Sequence, residues 1–347
     1  MSHKGENKMK QKKYHMLLLL LVILNLLYFN KVEVNAWPAG DGDSNWNVEA
    51  VKTYNDFQYM HITETDSIVI VGYVGNNEVV VVPGEIDGKL VKEIVNFDDY
   101  TNYKAYQPNP VIREIYIPEG VVQVGGFRNC INIQKVQLPN SVEIILNDAF
   151  DGCQNLKQVT WPANLIQIES GAFAGCTKLK KVNLPYGIKK IGSAAFADCY
   201  SLKEIKIPDS VVEIGKEAFS GCKKLAKVKL SKNITVIRED SFSCCNIKSI
   251  QIPKKVTKIE EDAFASNQIE SIIIPAKVKF IGRYAFGYCK KLKKITIKST
   301  KVKKIEKNAF YYINKKATFD VPNKCKKKYK KMLIKANSFK EGKMKIK

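Results

Sequence analysis

Residues 176–199 read CTKLKKVNLPYGIKKIGSAAFADC, and this pattern returns with small changes along most of the 347-residue chain. Phenylalanine marks the repeat, with spacings of 23 residues five times and then 22, 22 and 24. A constant period of this length is typical of a solenoid, in which each unit forms one turn and stacks on its neighbours. The repeated phenylalanines are Phe127, Phe150, Phe173, Phe196, Phe219, Phe242, Phe264, Phe286 and Phe310.

Within one unit, residues 179–184 end in a polar–apolar alternation that predicts a half-buried strand. Pro185 closes this strand because proline cannot donate to a continuing ladder. Ile188 and Ile191 are too close together to distinguish helix from strand, and residues 193–197 could form one helical turn. We therefore predict an α/β solenoid of about nine or ten turns, with a parallel sheet on one face. The other face carries short helical or second-strand segments.

The repeat Cys-x-x-Leu-x-x-Val-x-Leu-Pro-x-x-Val-x-x-Ile-x-x-x-Ala-Phe-x-x-Cys resembles the BspA-like class of leucine-rich repeat over residues 111–312. The valine-rich residues 70–91 are similar to the N-terminal segment of that family, and residues 321–329 to its closing strand and helix. Asn267 and Tyr312 depart from the pattern by replacing the cysteine. The resemblance implies a secreted or surface-exposed protein. It also implies a role in adhesion or in binding proteins of a host or neighbouring cell.

The chain divides into five predicted segments. Lysines followed by an apolar run from Met16 to Phe29, with small residues before Trp37, predict a cleaved secretory signal peptide over residues 1–36. The alternative is an uncleaved anchor, but this run is shorter than the ~20 residues of a membrane span. After cleavage we expect no transmembrane span and an extracellular protein, with attachment to the cell surface left open. The remaining segments are an acidic linker (37–55), an N-terminal capping segment with a first repeat-like turn (56–110), the solenoid (111–312) and a C-terminal cap with a lysine-rich tail (313–347).

Charge is distributed unevenly around a net value of +23. Residues 37–110 hold 4 basic and 12 acidic side chains, whereas residues 111–347 hold 47 and 20. Only four basic residues of the chain are arginine, and arginine is favoured for bidentate contacts to phosphates and bases, so we expect no specific nucleic-acid binding. Residues 298–347 contain 18 lysines and three acidic residues. They either protect the open end of the solenoid or bind an anionic wall polymer, acidic glycan or membrane surface.

Seven cysteines share one register of the repeat. Parallel Cβ directions aimed into the coil do not face each other as a disulfide requires, so we predict free, buried thiols. A line of single thiols does not converge on a point as zinc ligands must, and we predict no metal site. Cys244 and Cys325 lie outside this register and are predicted to be a reactive pair. The predicted ladder is Cys130, Cys153, Cys176, Cys199, Cys222, Cys245 and Cys289.

Catalysis has no candidate residues in this sequence. Once the signal peptide is removed, His61 is the one histidine left, and no nucleophile, base and oxyanion donors group with it. We predict a non-enzymatic protein that needs no cofactor, and we expect its partner to be a protein on another cell or matrix. The candidate binding residues are the outward-facing strand positions, with Tyr116, Ile273 and the central lysines as anchors: Glu114, Tyr116, Lys135, Gln137, Gln158, Thr160, Lys181, Asn183, Glu204, Lys206, Lys227, Lys229, Ser249, Gln251, Ser271, Ile273, Lys294 and Thr296.

Overall fold

A computed structural model describes residues 51–95, 109–339 and 344–347. The predicted signal peptide, most of the predicted linker and the segment 96–108 lie outside these residues. The last part of the predicted linker is ordered, because Lys52–Tyr54 form a strand that pairs with the next one. The first six strands are β1 (Lys52–Tyr54), β2 (Phe57–Ile62), β3 (Ser67–Tyr73), β4 (Val79–Val81), β5 (Glu85–Ile86) and β6 (Lys89–Ile94).

Short strands recur through the rest of the chain, two for most turns. In chain order they are β7 (Glu114–Tyr116), β8 (Gln123–Val124), β9 (Lys135–Gln137), β10 (Ile144–Ile145), β11 (Gln158–Thr160), β12 (Gln167–Ile168), β13 (Lys190–Ile191), β14 (Glu204–Lys206), β15 (Glu213–Ile214), β16 (Lys227–Lys229), β17 (Val236–Ile237), β18 (Lys258–Ile259), β19 (Ser271–Ile274), β20 (Phe280–Ile281), β21 (Lys294–Ile297), β22 (Lys304–Ile305), β23 (Thr318–Asp320) and β24 (Lys345–Ile346).

These strands form two parallel rows, and the described part of the chain is a β-solenoid of about 11 turns with about 23 residues each. The first row contains the strand that ends in the repeat's proline, and it runs in register from β4 through β7, β9 and β11. The second row contains two-residue strands, which follow β6 as β8, β10, β12, β13 and β15. The sequence left open whether the other face carries short helices or a second strand. The structure has a second strand. The count exceeds nine or ten because β4 and β23 each add a turn to the first row.

The first row is interrupted twice, which the repeat pattern did not predict. Residues 179–184 form no strand, although Val182 is still buried as the alternation requires. In the preceding turn Trp161 takes the place of the repeat's second leucine, and its ring packs 5.3 Å from that of Phe173. We attribute the break to this larger side chain in a column built for leucine and isoleucine.

The second interruption lies at residues 249–251, where a single bridge joins Lys227 to Ser249. This turn is one residue shorter than the turns before it, because Ile247 follows Cys245 by two positions where Leu225 follows Cys222 by three. The missing residue shifts the start of the strand relative to its neighbour. The row resumes at β19 and continues in parallel through β21 and β23 to β24.

Most of the core is one continuous cluster that extends from Phe57 to Met344, and a small second cluster contains Met60, Val69 and Val71. All nine repeat phenylalanines are at most 1% exposed, and consecutive rings stack with centroids 5.2–5.8 Å apart. This spacing follows from the separation of neighbouring strands, ~4.8 Å, with a small offset between rings. The packing makes each turn dependent on its neighbours for burial.

The ladder cysteines are free and buried, as predicted. Each thiol of Cys153, Cys176, Cys199, Cys222, Cys245 and Cys289 donates to the backbone carbonyl of the phenylalanine in the preceding turn, over 3.0–3.2 Å. Burial raises the pKa of Cys153 and Cys176 well above the ordinary value and that of Cys289 to about 12. The thiol ladder is thus a column of hydrogen-bonded core groups.

Two ladder positions lack cysteine, and one of them was assigned wrongly from the sequence. Asn267 donates to the carbonyl of Phe242 over 2.7 Å, so it replaces the thiol's hydrogen bond. Its Oδ1 also accepts from the backbone N–H of Ile247 over 2.9 Å. In the last turn Ile313, three residues after Phe310, takes the cysteine position and is buried, whereas Tyr312 is 57% exposed.

The C-terminal end is closed by a 3-10 helix (Asn323–Cys325), an α-helix, α1 (Lys326–Lys335), and β24. Tyr329 and Leu333 are buried against the last turns, and the Tyr329 hydroxyl donates to the carbonyl of Ser299 over 2.6 Å. Cys325 is 9% exposed under this cap, whereas Cys244 is exposed. The predicted reactive pair is therefore wrong, because Cys325 is part of the core.

Candidate binding surface

The candidate surface is the strand face, which we define as the outward-facing side chains of the first strand row. The alternation of each strand places its central residue in the core and its two flanking residues outside, as in β14, where Ile205 is buried and Glu204 and Lys206 are exposed. Fourteen of the 18 residues predicted from the sequence lie on these strands and point outward in this way, and all 18 are exposed or half-buried. The other four, Lys181, Asn183, Ser249 and Gln251, lie at the two interruptions of the row. Their role in binding stays a prediction.

Residues at both ends of this surface were missed, among them Thr318 and Asp320 on β23, which pair in register with Lys294 and Thr296. Val79 and Val81 on β4 pair in register with Glu114 and Tyr116, so they belong to the strand face, and they are 52% and 68% exposed. The signal was present, because Val79–Val82 followed by Pro83 has the strand-then-proline ending of the repeats. Exposed valines on neighbouring outward positions make this end of the face apolar.

Tyr116 is less available to a partner than the sequence predicted. Its hydroxyl donates to Glu114 over 2.7 Å and accepts from the Lys135 ammonium over 2.7 Å. The same ammonium lies 4.7 Å from the centre of the Tyr116 ring. These hydrogen bonds lower the pKa of Glu114 and raise that of Lys135, with Tyr116 as the largest cause in each case. Tyr116 is half-buried in a closed three-residue cluster, so Val81 is the better anchor at this end.

The central part of the strand face is cationic. Lys206 pairs in register with Lys229, and Lys227 with Glu204. The Lys227 ammonium is 4.0 Å from the Glu204 carboxylate, and both side chains are more than 60% exposed, so this ion pair contributes little to stability. Further along, Ile273 on β19 is 52% exposed and supplies a second apolar anchor. The face therefore has apolar residues near both ends and lysines between them.

Polar residues of the N-terminal segment take part in local contacts and turns. His61 lies 3.0 Å from the carboxylate of Asp66, whose pKa is lowered first by its hydrogen bond with Lys89 and then by that with His61. Asp87 and Gly88 have positive φ and join β5 to β6 in a two-residue hairpin turn. Within residues 51–95, 109–339 and 344–347, no cluster of three or more His, Cys, Asp or Glu could hold a metal ion. In the same residues, no helix is both long enough and apolar enough to cross a membrane.

Comparison with known proteins agrees with this architecture. The family model of the BspA type leucine-rich repeat region (6 copies) matches residues 100–225, 147–270 and 257–346. A solved leucine-rich repeat protein from Bacteroides ovatus ATCC 8483 is 23% identical, with a TM-score of 0.58, covering 85% of this chain and 76% of that one. This likeness is one of fold.

Two further solved structures show weaker likeness. A leucine-rich cell surface protein of Faecalibacterium prausnitzii A2-165 is 22% identical over 78% of this chain and 71% of that one, with a TM-score of 0.47. A leucine-rich repeat protein of T. pallidum is 27% identical over 70% of this chain and 91% of that one, with a TM-score of 0.45. No curated protein matches the chain.

Proposed function

Because the chain belongs to the BspA-type leucine-rich repeat proteins, we propose that it is a secreted or cell-surface binding protein without enzymatic activity. Its strand face binds a protein of another cell or of a matrix. The observation that carries this proposal is the row of outward side chains, which the parallel register holds at fixed spacing within each of the three stretches of the first strand row. Extended strand faces of this kind are the binding surfaces of solenoid proteins.

The composition of the face supports a protein partner. Val79, Val81 and Ile273 are each more than half exposed, although their neighbours on the face are mainly polar. Exposed apolar side chains rimmed by polar ones are typical of protein-binding surfaces, because their burial in a complex is favourable. The lysines between them accelerate association with an acidic partner.

The test measures binding of the labelled protein to cultured epithelial cells. The triple variant Val79→Ser, Val81→Ser and Ile273→Ser should lose saturable binding, whereas Val74→Ser, Val212→Ser and Ile334→Ser, which remove exposed apolar residues elsewhere, should retain it. Binding should disappear when the cells are treated with protease, and it should survive 0.5 M salt, at which charge–charge attraction is screened within a few ångströms. Equal binding by both triple variants would overturn the proposal.

A polyanion is the alternative partner, favoured by the lysines of the C-terminal cap. Six of the ten residues of α1 are lysine, and they are exposed on its outer side. An anionic wall polymer, acidic glycan or membrane surface would be attracted to this helix. In the cell assay this alternative predicts binding that is lost in 0.5 M salt and insensitive to the Val79, Val81 and Ile273 substitutions.

A further inference from the structure

A cluster of tyrosines lies near the C-terminal end of the solenoid, and none of them belongs to the strand face. Tyr311 is half-buried and makes edge-on ring contacts with Tyr284 and Tyr288, at 5.9 and 5.6 Å. Tyr312 lies 6.0 Å from Tyr288, and these two rings are 57% and 43% exposed. The spacing of 24 residues between Tyr288 and Tyr312 equals that between Phe286 and Phe310, so the register of the repeat stacks them.

The backbone under these rings has an unfavourable conformation for tyrosine. Tyr284, Tyr288 and Tyr312 have φ values of 48°, 59° and 55°, in the left-handed region that bulky residues rarely adopt. The turns before residue 230 have glycine, asparagine or aspartate at the position of Tyr288 and Tyr312. Tyrosine at these sites is therefore not explained by the local backbone, and strained positions of this kind cluster at ligand sites.

Two of these tyrosines, Tyr311 and Tyr312, border a cavity of about 450 Å³. The cavity is also lined by Lys290, Asn314, Lys315 and Lys316, together with five residues of the last turn and cap. None of the described lining residues carries a carboxylate. The Lys290 ammonium lies 5.4 Å from the centre of the Tyr312 ring. This volume is in the range of small-ligand sites, and the lining combines aromatic faces with three positive charges.

The cavity is braced from the cap. Asn337 donates to Asn308 over 2.9 Å, and Asn308 donates to the hydroxyl of Tyr284 over 2.8 Å. Asn314 uses its Oδ1 to accept from the backbone N–H of Lys316 over 3.0 Å, which leaves its amide donors without a hydrogen bond among the described residues. Two lining residues, Asn337 and Asn314, are thus held by hydrogen bonds, while amide and ammonium donors remain for a ligand.

We propose that this cavity binds a saccharide unit that carries a carboxylate, such as a uronic or sialic acid residue of a glycan. The apolar face of a pyranose ring packs on the tyrosine rings, which are amphipathic and lose little entropy on binding. The sugar carboxylate lies among the ammonium groups of Lys290, Lys315 and Lys316, and hydroxyl groups accept from Asn314. The site is separate from the strand face, and it stands if the proposed protein partner is wrong.

The test is calorimetric titration of the full chain with tetragalacturonate and with 3′-sialyllactose, which distinguishes uronic from sialic acid. Saturable binding of either supports the proposal. The methyl ester of tetragalacturonate, which keeps the sugar rings, and a tetraglutamate peptide, which keeps the charges, should each bind at least tenfold more weakly. Failure of both saccharides to bind, or equal binding of the peptide, would overturn it.

Substitutions test whether the site is this cavity. Tyr312→Asn and Lys316→Gln should each weaken saccharide binding at least tenfold, whereas Tyr186→Asn and Lys227→Gln, which change an exposed tyrosine and lysine on other turns, should leave it within twofold. Asparagine tolerates the left-handed backbone of position 312, so the thermal midpoint of Tyr312→Asn should equal or exceed that of the parent. Unchanged binding by Tyr312→Asn would contradict the proposal.

Discussion

In both halves of the solenoid the chain turns a corner just after each repeat phenylalanine, but different residues occupy this corner in the two halves. Two positions after each repeat phenylalanine the backbone is left-handed in all nine turns, with φ between 51° and 71°. The first five of these residues suit that conformation, because they are Asn129, Gly152, Gly175, Asp198 and Gly221. The last four do not, because they are Cys244, Ser266, Tyr288 and Tyr312.

The difference shows that the stack imposes the corner whatever residue occupies it. The N–H of Gly152 donates to Ala174 in the next turn, and the N–H of Tyr288 donates to Tyr311 in the same way, both over 2.8 Å. The phenylalanine column is equally regular in both halves, with rings 5.2–5.8 Å apart. Core and ladder therefore fix the backbone, and the outward corner is free to acquire chemistry of its own.

Disrupting the phenylalanine column, which both halves share, should reduce stability most. Phe219→Asp places a charge at a fully buried position between two rings, 5.4 and 5.3 Å away, and we expect a loss of roughly 4–5 kcal/mol or more. Deletion of residues 199–221 removes one whole turn and keeps the register of the column, so it should be tolerated better. Thermal melts followed by circular dichroism compare the two, with Lys227→Asp on the strand face as the control. Equal melts for the deletion and for Phe219→Asp would contradict this packing.

High pH should destabilise the ladder next. Burial raises the pKa of Cys153, Cys176 and Cys199, with Cys245 and Cys289 shifted in the same direction, so these thiols keep their protons in the folded state. The unfolded chain loses those protons above about pH 8.5, and each thiol then favours unfolding by about 1.4 kcal/mol per pH unit. The contribution is fully present below that pH and is lost as the pH rises toward the folded-state pKa.

Guanidinium unfolding between pH 8 and 10 measures this dependence. The double variant Cys176→Ala, Cys199→Ala removes two thiols, so its free energy of unfolding should fall less steeply, with the difference in slope approaching about 3 kcal/mol per pH unit near pH 10. The variant is less stable at pH 7, but the comparison concerns the slope alone. Identical slopes would show that the ladder thiols ionise as freely in the folded state as in the unfolded chain.

Inside the core the second half differs from the first at Asn267, which takes the place of a ladder cysteine. Asn267→Ala removes the donor to Phe242 and the acceptor for the N–H of Ile247, both buried, and we expect a loss of about 2–3 kcal/mol. Asn267→Cys restores the ladder donor but not the acceptor, so its loss should be smaller. Denaturant midpoints measure both, with Asn246→Ala as a half-buried control in the neighbouring turn. A larger loss for cysteine than for alanine would contradict the assigned hydrogen bonds.

Much of this architecture follows from the sequence, because the repeat period fixes which residues share a column. Phe150, Cys153 and the outward pair Lys135 and Gln137 all lie where the register predicted. The second strand row did not follow, since Ile188 and Ile191 fit a helix or a strand equally well. The break after Trp161 and the cluster of Tyr116 with Lys135 depend on side-chain volume and on contacts between turns, which a pattern of apolar positions does not contain. For the same reason the burial of Cys325 under α1 was missed.

The smallest changes in stability are expected at two adjacent cysteines, because Cys244 lies at the exposed corner position and Cys245 lies in the buried thiol ladder. Cys244 is exposed at φ 54°, so Cys244→Gly relieves the left-handed strain, partly offset by the greater entropy of glycine in the unfolded chain. We expect a gain of about 0.5 kcal/mol. Cys245 is buried and donates to Phe219 over 3.1 Å, so Cys245→Ala should lose about 1–2 kcal/mol. The denaturant midpoint should therefore rise for Cys244→Gly and fall for Cys245→Ala.

The same pair can be tested chemically. Iodoacetamide should modify Cys244 in the folded protein and all nine cysteines after denaturation, because the other eight are buried. The Cys244→Gly variant should therefore be unreactive until it unfolds, whereas Cys245→Ala should react once when folded. Modification of Cys245 in the native parent would mean that the second half of the stack opens at this turn. That result would mean that the left-handed corner residues of the second half destabilise the stacked core next to them.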